Sequence, residues 1–184
     1  MHEIQMSAFD ALEKLKEGNI KYIDSAVGAC DISPEKRMFT SEYGQKPFAV
    51  IVSCSDSRVI PECIFSVGIG DLFVIRVAGN VVDNYQLGSI EYAVEHLGCR
   101  LVVVLGHTGC GAVGAACEKH GGYLKYITDE IKRAVGTETD SLKAGMLNVN
   151  QSVSKIKKLF EESDGVLVVG AMYHTDSGVV DFCE

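Results

Sequence analysis

The stretch CSDSRVIPEC, residues 54–63, places two cysteines around a dense polar patch. It directly follows FAVIVS, a run of apolar and β-branched residues that is typical of a buried strand. Cys54 and Cys63 could form a disulfide, could lie as two separate buried thiols, or could include a metal ligand whose partners are elsewhere in the chain. The chemistry of the polar patch depends on which of these three holds.

A second stretch, GHTGCG at residues 106–111, supplies candidate partners. His107 and Cys110 form an H-x-x-C pair, whose spacing lets both side chains reach one metal while the flanking glycines let the backbone bend closely around it. With Cys54 the set becomes two thiolates and one imidazole, for which tetrahedral Zn²⁺ is the natural occupant. Three protein ligands leave a fourth position open, as in catalytic rather than structural zinc sites.

Asp56 and Arg58 lie close enough in sequence to Cys54 to act at that open position. Arg58 can hold Asp56 in a bidentate ion pair. Asp56 can accept a hydrogen bond from zinc-bound water, or reach the metal as a fourth ligand in a closed form. Because Zn²⁺ lowers the pKa of its bound water, such a site suits hydration or hydrolysis of a small electrophile.

Each of these residues also has a simpler interpretation. An H-x-x-C pair alone is more often a coincidence than a site, a cysteine after a strand usually packs in the core, and an exposed Asp–Arg pair contributes little. An odd number of cysteines, seven, without an export signal argues against a disulfide framework and for a cytoplasmic location. Five of them are interpreted as buried thiols that pack like small hydrophobes: Cys30, Cys63, Cys99, Cys117 and Cys183.

Short apolar runs predict the strands that position the two polar stretches. Four runs predict buried parallel strands, and a fifth predicts a C-terminal edge strand: Phe48–Ser53, Leu72–Val77, Leu101–Leu105, Val166–Ala171 and 179–182. Helical spacing of apolar residues predicts helices at 86–98, 112–120, 124–135 and 142–160.

The N-terminal region follows a different pattern. Ser7 can cap a helix that carries Phe9, Leu12 and Leu15 on one face and ends at Gly18-Asn19. The stretch from about Ser25 to Lys46 is polar, and we expect it to be irregular.

Strands that alternate with helices predict an α/β fold, in which helices flank a central, mostly parallel sheet of four strands plus the edge strand. We expect a single domain over 1–184, with an N-terminal helical arm (1–45) and an α/β core (46–184). Ligands bind beyond the carboxyl ends of the strands in such sheets, and both polar stretches lie there.

Composition excludes some partners. The net charge of −8 disfavours nucleic acid, because phosphate binding needs clustered Lys and Arg. No apolar run approaches the roughly 20 residues that span a bilayer, so no membrane partner is expected.

The segments CSDSRV, FVIRVAGN, GSIEYAVEHLG and GHTGCGAV together resemble the β-class carbonic anhydrases, which interconvert carbon dioxide and bicarbonate. The resemblance covers most of the chain and implies one Zn²⁺ per subunit on Cys54, His107 and Cys110, with Asp56 and Arg58 as the catalytic dyad. The implied reaction is attack of zinc-bound hydroxide on carbon dioxide.

The resemblance also implies a small substrate pocket of the plant type. The pocket residues that match are Gln45, Phe73, Tyr92 and the backbone amide of Gly111. In the family this pocket forms between two subunits, which implies a homodimer or a dimer of dimers. Without the resemblance, Phe73 and Tyr92 would be interpreted as core residues and Gln45 as an exposed loop residue.

One position departs from a subgroup of the family that binds inhibitory bicarbonate. That subgroup has a tryptophan where this chain has Ile51, and the chain contains no Trp. Arg76 and Tyr173 resemble the subgroup's other anion contacts. We therefore expect weak or absent bicarbonate regulation, with Asp56 held by Arg58.

Two other functions compete with this prediction. Some relatives hydrolyse carbon disulfide or carbonyl sulfide on the same zinc scaffold, and the motifs do not separate them from carbon dioxide hydration. A non-catalytic zinc-binding or anion-sensing protein is the third hypothesis, and it predicts a missing or replaced dyad. Asp56 and Arg58 are both present.

Overall fold

The computed structural model describes residues 6–24, 30–118, 120–160 and 165–183. Its five strands are β1 (Ala49–Ser53), β2 (Leu72–Arg76), β3 (Leu101–His107), β4 (Leu167–Tyr173) and β5 (Val180–Cys183). They form one sheet in the order β2-β1-β3-β4-β5, in which only β5 pairs antiparallel with its neighbour. The predicted mostly parallel sheet with a C-terminal edge strand is confirmed.

Seven helices of the described chain surround the sheet. They are α1 (Ala8–Asp24), α2 (Pro34–Tyr43), α3 (Pro61–Ile64), α4 (Asn84–Glu95), α5 (Gly111–Ala115), α6 (Leu124–Val135) and α7 (Ser141–Leu159). A 3₁₀ turn, Ala78–Asn80, follows β2. The short α3 and the 3₁₀ turn were not predicted, and α5 ends before the predicted 112–120 helix would.

The two central strands, β1 and β3, are buried along their whole length because helices cover both faces of the sheet. Alternate residues point to opposite faces, as the pleat requires. Ile51 and Val103 pack on one face with α1 and α3, whereas Val52 and Val104 pack on the other with α4 and α7. This arrangement explains why both strands are continuous apolar runs in the sequence.

Helix α1 extends past its predicted end. Ser7 caps it as expected, since its Oγ accepts a hydrogen bond from the amide of Asp10. Gly18 and Asn19, however, lie inside the helix and serve packing: the Asn19 amide nitrogen donates to the carbonyl oxygens of Ile64 and Gly178. The predicted helix end was therefore wrong.

Phe9 was also wrongly assigned to the buried face of α1. Its side chain is 73% exposed, whereas Ala8, Ala11, Leu12 and Leu15 are buried. The buried face of α1 therefore includes two alanines, Ala8 and Ala11. Their small side chains indicate a buried face less clearly in the sequence than the large side chain of Phe9 does.

The polar stretch predicted to be irregular contains α2. Ser33 accepts a hydrogen bond from the amide of Lys36, and Pro34 is the first helical residue, a favourable pair at a helix start. No residue of α2 is buried. Because the helix buries nothing in this chain, its sequence carries no apolar period that would reveal it. Residues 25–29 of the predicted stretch lie outside the described residues.

Among the described residues, no helix is both long enough and apolar enough to cross a membrane.

Gly18 provides a test of the packing of α1. A Cβ added there would lie 2.0 Å from the carbonyl oxygen of Phe65. We expect Gly18→Ala to lower the free energy of unfolding by about 1–3 kcal/mol through overpacking, measured by urea denaturation.

Gly88→Ala is the matched control. Gly88 also lies within a helix, α4, but an added Cβ meets nothing within 4 Å. This variant should gain about 0.5–1 kcal/mol, because alanine restricts the unfolded chain more than glycine does. Equal effects of the two substitutions would contradict the packing described for α1.

Candidate metal centre

The two polar stretches meet where the order of strands changes direction. From β1 the chain moves outward to β2, then returns to place β3 on the other side of β1. Ligand sites of open α/β sheets lie at such a switch point, beyond the carboxyl ends of the strands. Cys54 directly follows β1, His107 is the last residue of β3, and Cys110 directly precedes α5.

Cys54, His107 and Cys110 form a compact group in which the three potential ligand atoms lie within 4.8 Å of one another. The two sulfur atoms are 4.0 Å apart. Two sulfurs bound tetrahedrally to Zn²⁺ at ordinary bond lengths lie about 3.8 Å apart, so little movement is needed to bind the ion. The side chains of Cys54 and His107 are buried, and that of Cys110 is half-buried.

The ring of His107 presents one nitrogen to this group. Its Nδ1 lies 3.0 Å from the carbonyl oxygen of Thr108, a contact that requires Nδ1 to carry the proton. The other nitrogen, Nε2, is buried and has no hydrogen-bond partner among the described residues. With Nδ1 donating to a carbonyl, Nε2 is the nitrogen left available to bind a metal.

Thr108 is held in turn by the end of β4 and the loop that follows it. Its amide donates to the carbonyl oxygen of Tyr173, and its hydroxyl contacts the hydroxyl of Thr175 at 3.1 Å. The carbonyl that orients the His107 ring is therefore part of a fixed loop.

The sulfur of Cys54 accepts hydrogen bonds from two backbone amides, those of Gly79 at 3.2 Å and Asp56 at 3.4 Å. The hydrogen bond from the Cys110 thiol lowers the pKa of Cys54 to about 4, with smaller contributions from the nearby His107 ring and these amides, although burial opposes the change. Donation to Cys54 and burial raise the pKa of Cys110. The loop thus favours a thiolate at Cys54.

Burial alone would lower the pKa of His107, but the adjacent sulfur of Cys54 and its negative charge outweigh burial and raise that pKa. The pocket therefore stabilises positive charge next to the sulfur atoms. A divalent cation would supply that charge and release the proton.

Gly79 can donate to Cys54 only because it is a glycine. Its φ of +69° lies in the left-handed region, and a Cβ there would come within 2.7 Å of Ile131. The carbonyl of Gly79 accepts a hydrogen bond from the buried Asn148 amide at 2.7 Å. Helix α7, which carries Asn148, thereby helps to fix the amide that contacts the sulfur.

Asp56 and Arg58 form a bidentate ion pair beside the group. Arg58 Nε and Nη2 donate to the two carboxylate oxygens at 2.9 and 2.8 Å. This hydrogen bonding holds the pKa of Asp56 well below its usual range. Asp56 Oδ2 lies 3.9 Å from His107 Nε2, so the carboxylate stands next to the ligand atoms while its oxygens remain on Arg58.

Comparisons with known proteins agree with this geometry. A family model described as carbonic anhydrase matches residues 49–180. Carbonic anhydrase 2 of Mycobacterium tuberculosis is 44% identical over 131 residues, which are 68% of this chain and 63% of that protein. The chain therefore spans less than two thirds of that relative's length.

Solved structures extend the likeness to the fold. The β-carbonic anhydrase CafA of Aspergillus fumigatus superposes with a TM-score of 0.73 at 27% identity, covering 82% of this chain and 81% of CafA. A tetrameric β-carbonic anhydrase of Sordaria macrospora gives 0.71 at 26% identity, covering 81% of this chain and 86% of that one. The chain belongs to the β-class carbonic anhydrase family.

The residues that match the plant-type pocket of the β-class family do not all lie at this centre. Gly111 begins α5 next to Cys110. Phe73 and Tyr92 contact each other, with ring centroids 6.1 Å apart, but Phe73 pairs with Val50, four residues before Cys54. At the rise of a strand, that is about 13 Å from the centre.

Gln45 lies before the start of β1, whereas Cys54 follows its end. It is exposed and lines a cavity of about 650 Å³ together with Phe48 and His96. Within one chain, then, Gln45, Phe73 and Tyr92 lie apart from the metal centre.

The remaining cysteines differ in exposure. All seven are free, and Cys99 is buried as predicted. Cys30, Cys63 and Cys183 are only half-buried, and Cys117 is exposed, so the interpretation of Cys117 as a buried thiol was wrong. Cys117 lies just beyond the end of α5.

Sequence reasoning missed the backbone donors and the supports of the loops. The amide of Gly79 and the side chain of Asn148 have no local signal, because each contacts residues far away in the sequence. Arg76 was noted only for its resemblance to an anion contact. Pairing of β2 with β1 would have placed it beside Ser53, one residue before Cys54.

The ion pair of Asp56 can be tested by titration. Because the pair lowers the pKa of Asp56, its contribution to stability is present above the usual carboxyl range and is lost as the pH falls. We expect Arg58→Gln to return the pKa of Asp56 towards its usual value, measured by NMR of the side-chain carboxyl.

Arg37→Gln is the control, since Arg37 donates to the carbonyl of Ile32 at the start of the remote α2. It should leave the pKa of Asp56 unchanged. A carboxyl that titrates normally in the unaltered protein would contradict the ion pair.

Proposed function

We propose that this protein catalyses the reversible hydration of carbon dioxide to bicarbonate and a proton, with Zn²⁺ as cofactor. The observation that carries the proposal is the convergence of two sulfurs and the unpartnered Nε2 of His107 within 4.8 Å. Membership of the β-class family supports the same reaction.

The donor set fits zinc on chemical grounds. Two soft thiol sulfurs and one imidazole match the preference of Zn²⁺, and hard cations such as Mg²⁺ would require oxygen ligands instead. Cys54, His107 and Cys110 would hold the ion. A fourth position would remain for water, because Asp56 keeps both carboxylate oxygens on Arg58.

When bound, Zn²⁺ supplies an activated water as the nucleophile. Asp56 is positioned to accept a hydrogen bond from a group at the fourth position, since its Oδ2 lies 3.9 Å from His107 Nε2. Arg58 keeps this carboxylate ionised and restrains it from becoming a ligand. The amides of Gly79 and Asp56 stabilise the Cys54 thiolate.

A second copy of the chain would complete the substrate pocket. Gln45, Phe73 and Tyr92 match the family's pocket but lie away from the centre of their own chain, as expected if they serve a partner subunit. In addition, α2 exposes apolar side chains that include Met38 (73% exposed), Phe39 and Tyr43. We propose a homodimer or a dimer of dimers; a β-class structure similar to this chain is tetrameric.

Two further properties belong to the same proposal. With Ile51 in the buried core where a subgroup has tryptophan, we propose weak or absent inhibition by bicarbonate. Seven free thiols agree with a cytoplasmic location, where thiols stay reduced.

The metal ligands are tested by Cys110→Ser. This variant replaces one sulfur ligand with a hydroxyl that binds Zn²⁺ poorly, so purified protein should lose most of its zinc by elemental analysis. Cys117→Ser, which alters an exposed thiol just beyond α5, should retain one zinc per chain. Full zinc content in Cys110→Ser would contradict the ligand set.

The reaction is tested by stopped-flow measurement of proton release from carbon dioxide, using the zinc-loaded protein. Asp56→Ala should lower kcat/KM by about 10- to 100-fold, since it removes a partner of the metal site. Asp129→Ala is the control, because Asp129 forms an exposed ion pair with Lys125 on α6. Its activity should be unchanged.

The same assay separates the competing functions. Sulfide release from carbon disulfide or carbonyl sulfide, without proton release from carbon dioxide, would replace the proposal by hydrolysis on the same scaffold. A zinc-loaded protein inactive on all three substrates would favour a non-catalytic role. Full activity in Asp56→Ala would refute the role given to the dyad.

A further inference from the structure

Arg76, the last residue of β2, reaches across to the loop that follows β1. It lies in register with Ser53, the last residue of β1. Its Nε donates to the carbonyl oxygen of Cys54 at 3.2 Å, and its Nη2 donates to that of Asp56 at 2.7 Å. One guanidinium thus spans the stretch 54–56.

The two hydrogen bonds of Arg76 connect β2 to the loop after β1, beyond the last backbone hydrogen bond between the two strands. The amide of Val77 makes the last backbone bond from the end of β2 to β1, to the carbonyl of Ser53. Beyond that point the loop turns away from the sheet. The planar fork of an arginine can hold two carbonyls at a fixed separation, which a single ammonium group at the end of a lysine cannot do.

The two carbonyls belong to Cys54, a candidate metal ligand, and to Asp56, whose carboxylate lies beside the potential ligand atoms. Arg58 holds the carboxylate of Asp56, but nothing in that ion pair fixes the backbone of Cys54. The amide of Asp56 donates to the Cys54 sulfur at 3.4 Å, so the conformation of this turn also sets a hydrogen bond to the sulfur.

We propose that Arg76 is a positioning residue of the metal centre, which sets the Cys54 sulfur and the Asp56 carboxylate relative to each other by clamping the backbone between them. The inference rests on the proposed function in one respect, namely that Cys54 is a metal ligand. It assigns Arg76 a role on the chain's own carbonyl groups instead of on a bound anion.

The surroundings of Arg76 favour its role as a clamp on the loop over a role in binding an anion. Two of its nitrogens already donate to the loop, at 3.2 and 2.7 Å. Ile51, which occupies the position of the subgroup's tryptophan, is completely buried and offers no hydrogen-bond donor.

The test uses Co²⁺ as a spectroscopic substitute for Zn²⁺ in the full-length protein. Arg76→Lys and Arg76→Met should each raise the dissociation constant for Co²⁺ about tenfold or more, as loss of supporting contacts does at metal sites. The sulfur-to-cobalt absorption band should also weaken or shift, which a general loss of stability would not produce in a folded protein. Circular dichroism establishes that each variant is folded.

Arg133→Lys is the control, because Arg133 is an exposed arginine that forms its ion pair with Glu130 within α6. It should bind Co²⁺ as the unaltered protein does. Arg76→Lys keeps the charge and most of the stem, so it remains informative if Arg76→Met fails to fold.

The outcomes are distinguishable. If the unaltered protein gives no sulfur-to-cobalt band, the metal centre itself is wrong, and the proposed function fails with it. If the unaltered protein binds and both Arg76 variants match it, the clamp is wrong. Co²⁺ binding by Arg76→Lys equal to that of the unaltered protein would overturn the clamp, because the positive charge alone would then account for Arg76. A change confined to inhibition by bicarbonate would overturn it as well.

Discussion

The parallel pairing of β1 with β3 brings Cys54 to His107, and every other feature of the centre depends on it. Ser53 lies in register with Leu105, so Cys54 leaves β1 beside the last two residues of β3, Gly106 and His107. A change of one residue in this register would turn the side chains of one strand to the opposite face. The buried valines and isoleucine of β1, packed against helices on both faces, hold the register in place.

Around this pairing, the loops are fixed by contacts between backbone and distant side chains. Asn148 of α7 holds Gly79, whose amide contacts the Cys54 sulfur, while Thr175 holds Thr108, whose carbonyl orients the His107 ring. The three potential ligand atoms are therefore held in place by contacts of the protein itself. Such preorganisation lowers the reorganisation that binding requires.

The fold and the proximity of His107 to Cys110 were predictable because their signals are local. Buried strands are continuous apolar runs, and H-x-x-C spacing places two ligands on one turn. The N-terminal region was predicted poorly because such local signals are missing there. Helix α2 buries none of its residues, so its sequence shows no apolar periodicity. Gly18 lies inside α1, where it packs against Phe65 and does not end the helix. The role of Arg76 depends on the pairing of β2 with β1, which no local pattern contains. Gln45, Phe73 and Tyr92 were found only by resemblance, and within this chain they lie apart from Cys54, His107 and Cys110.

X-ray absorption spectroscopy of the zinc-loaded protein tests the central claim most directly, because it counts the atoms bound to the metal. Ligation by Cys54, His107 and Cys110 with a water in the fourth position predicts two sulfurs at about 2.3 Å and two nitrogen or oxygen atoms at about 2.0–2.1 Å. A shell of four sulfurs, or one without sulfur, would contradict the account.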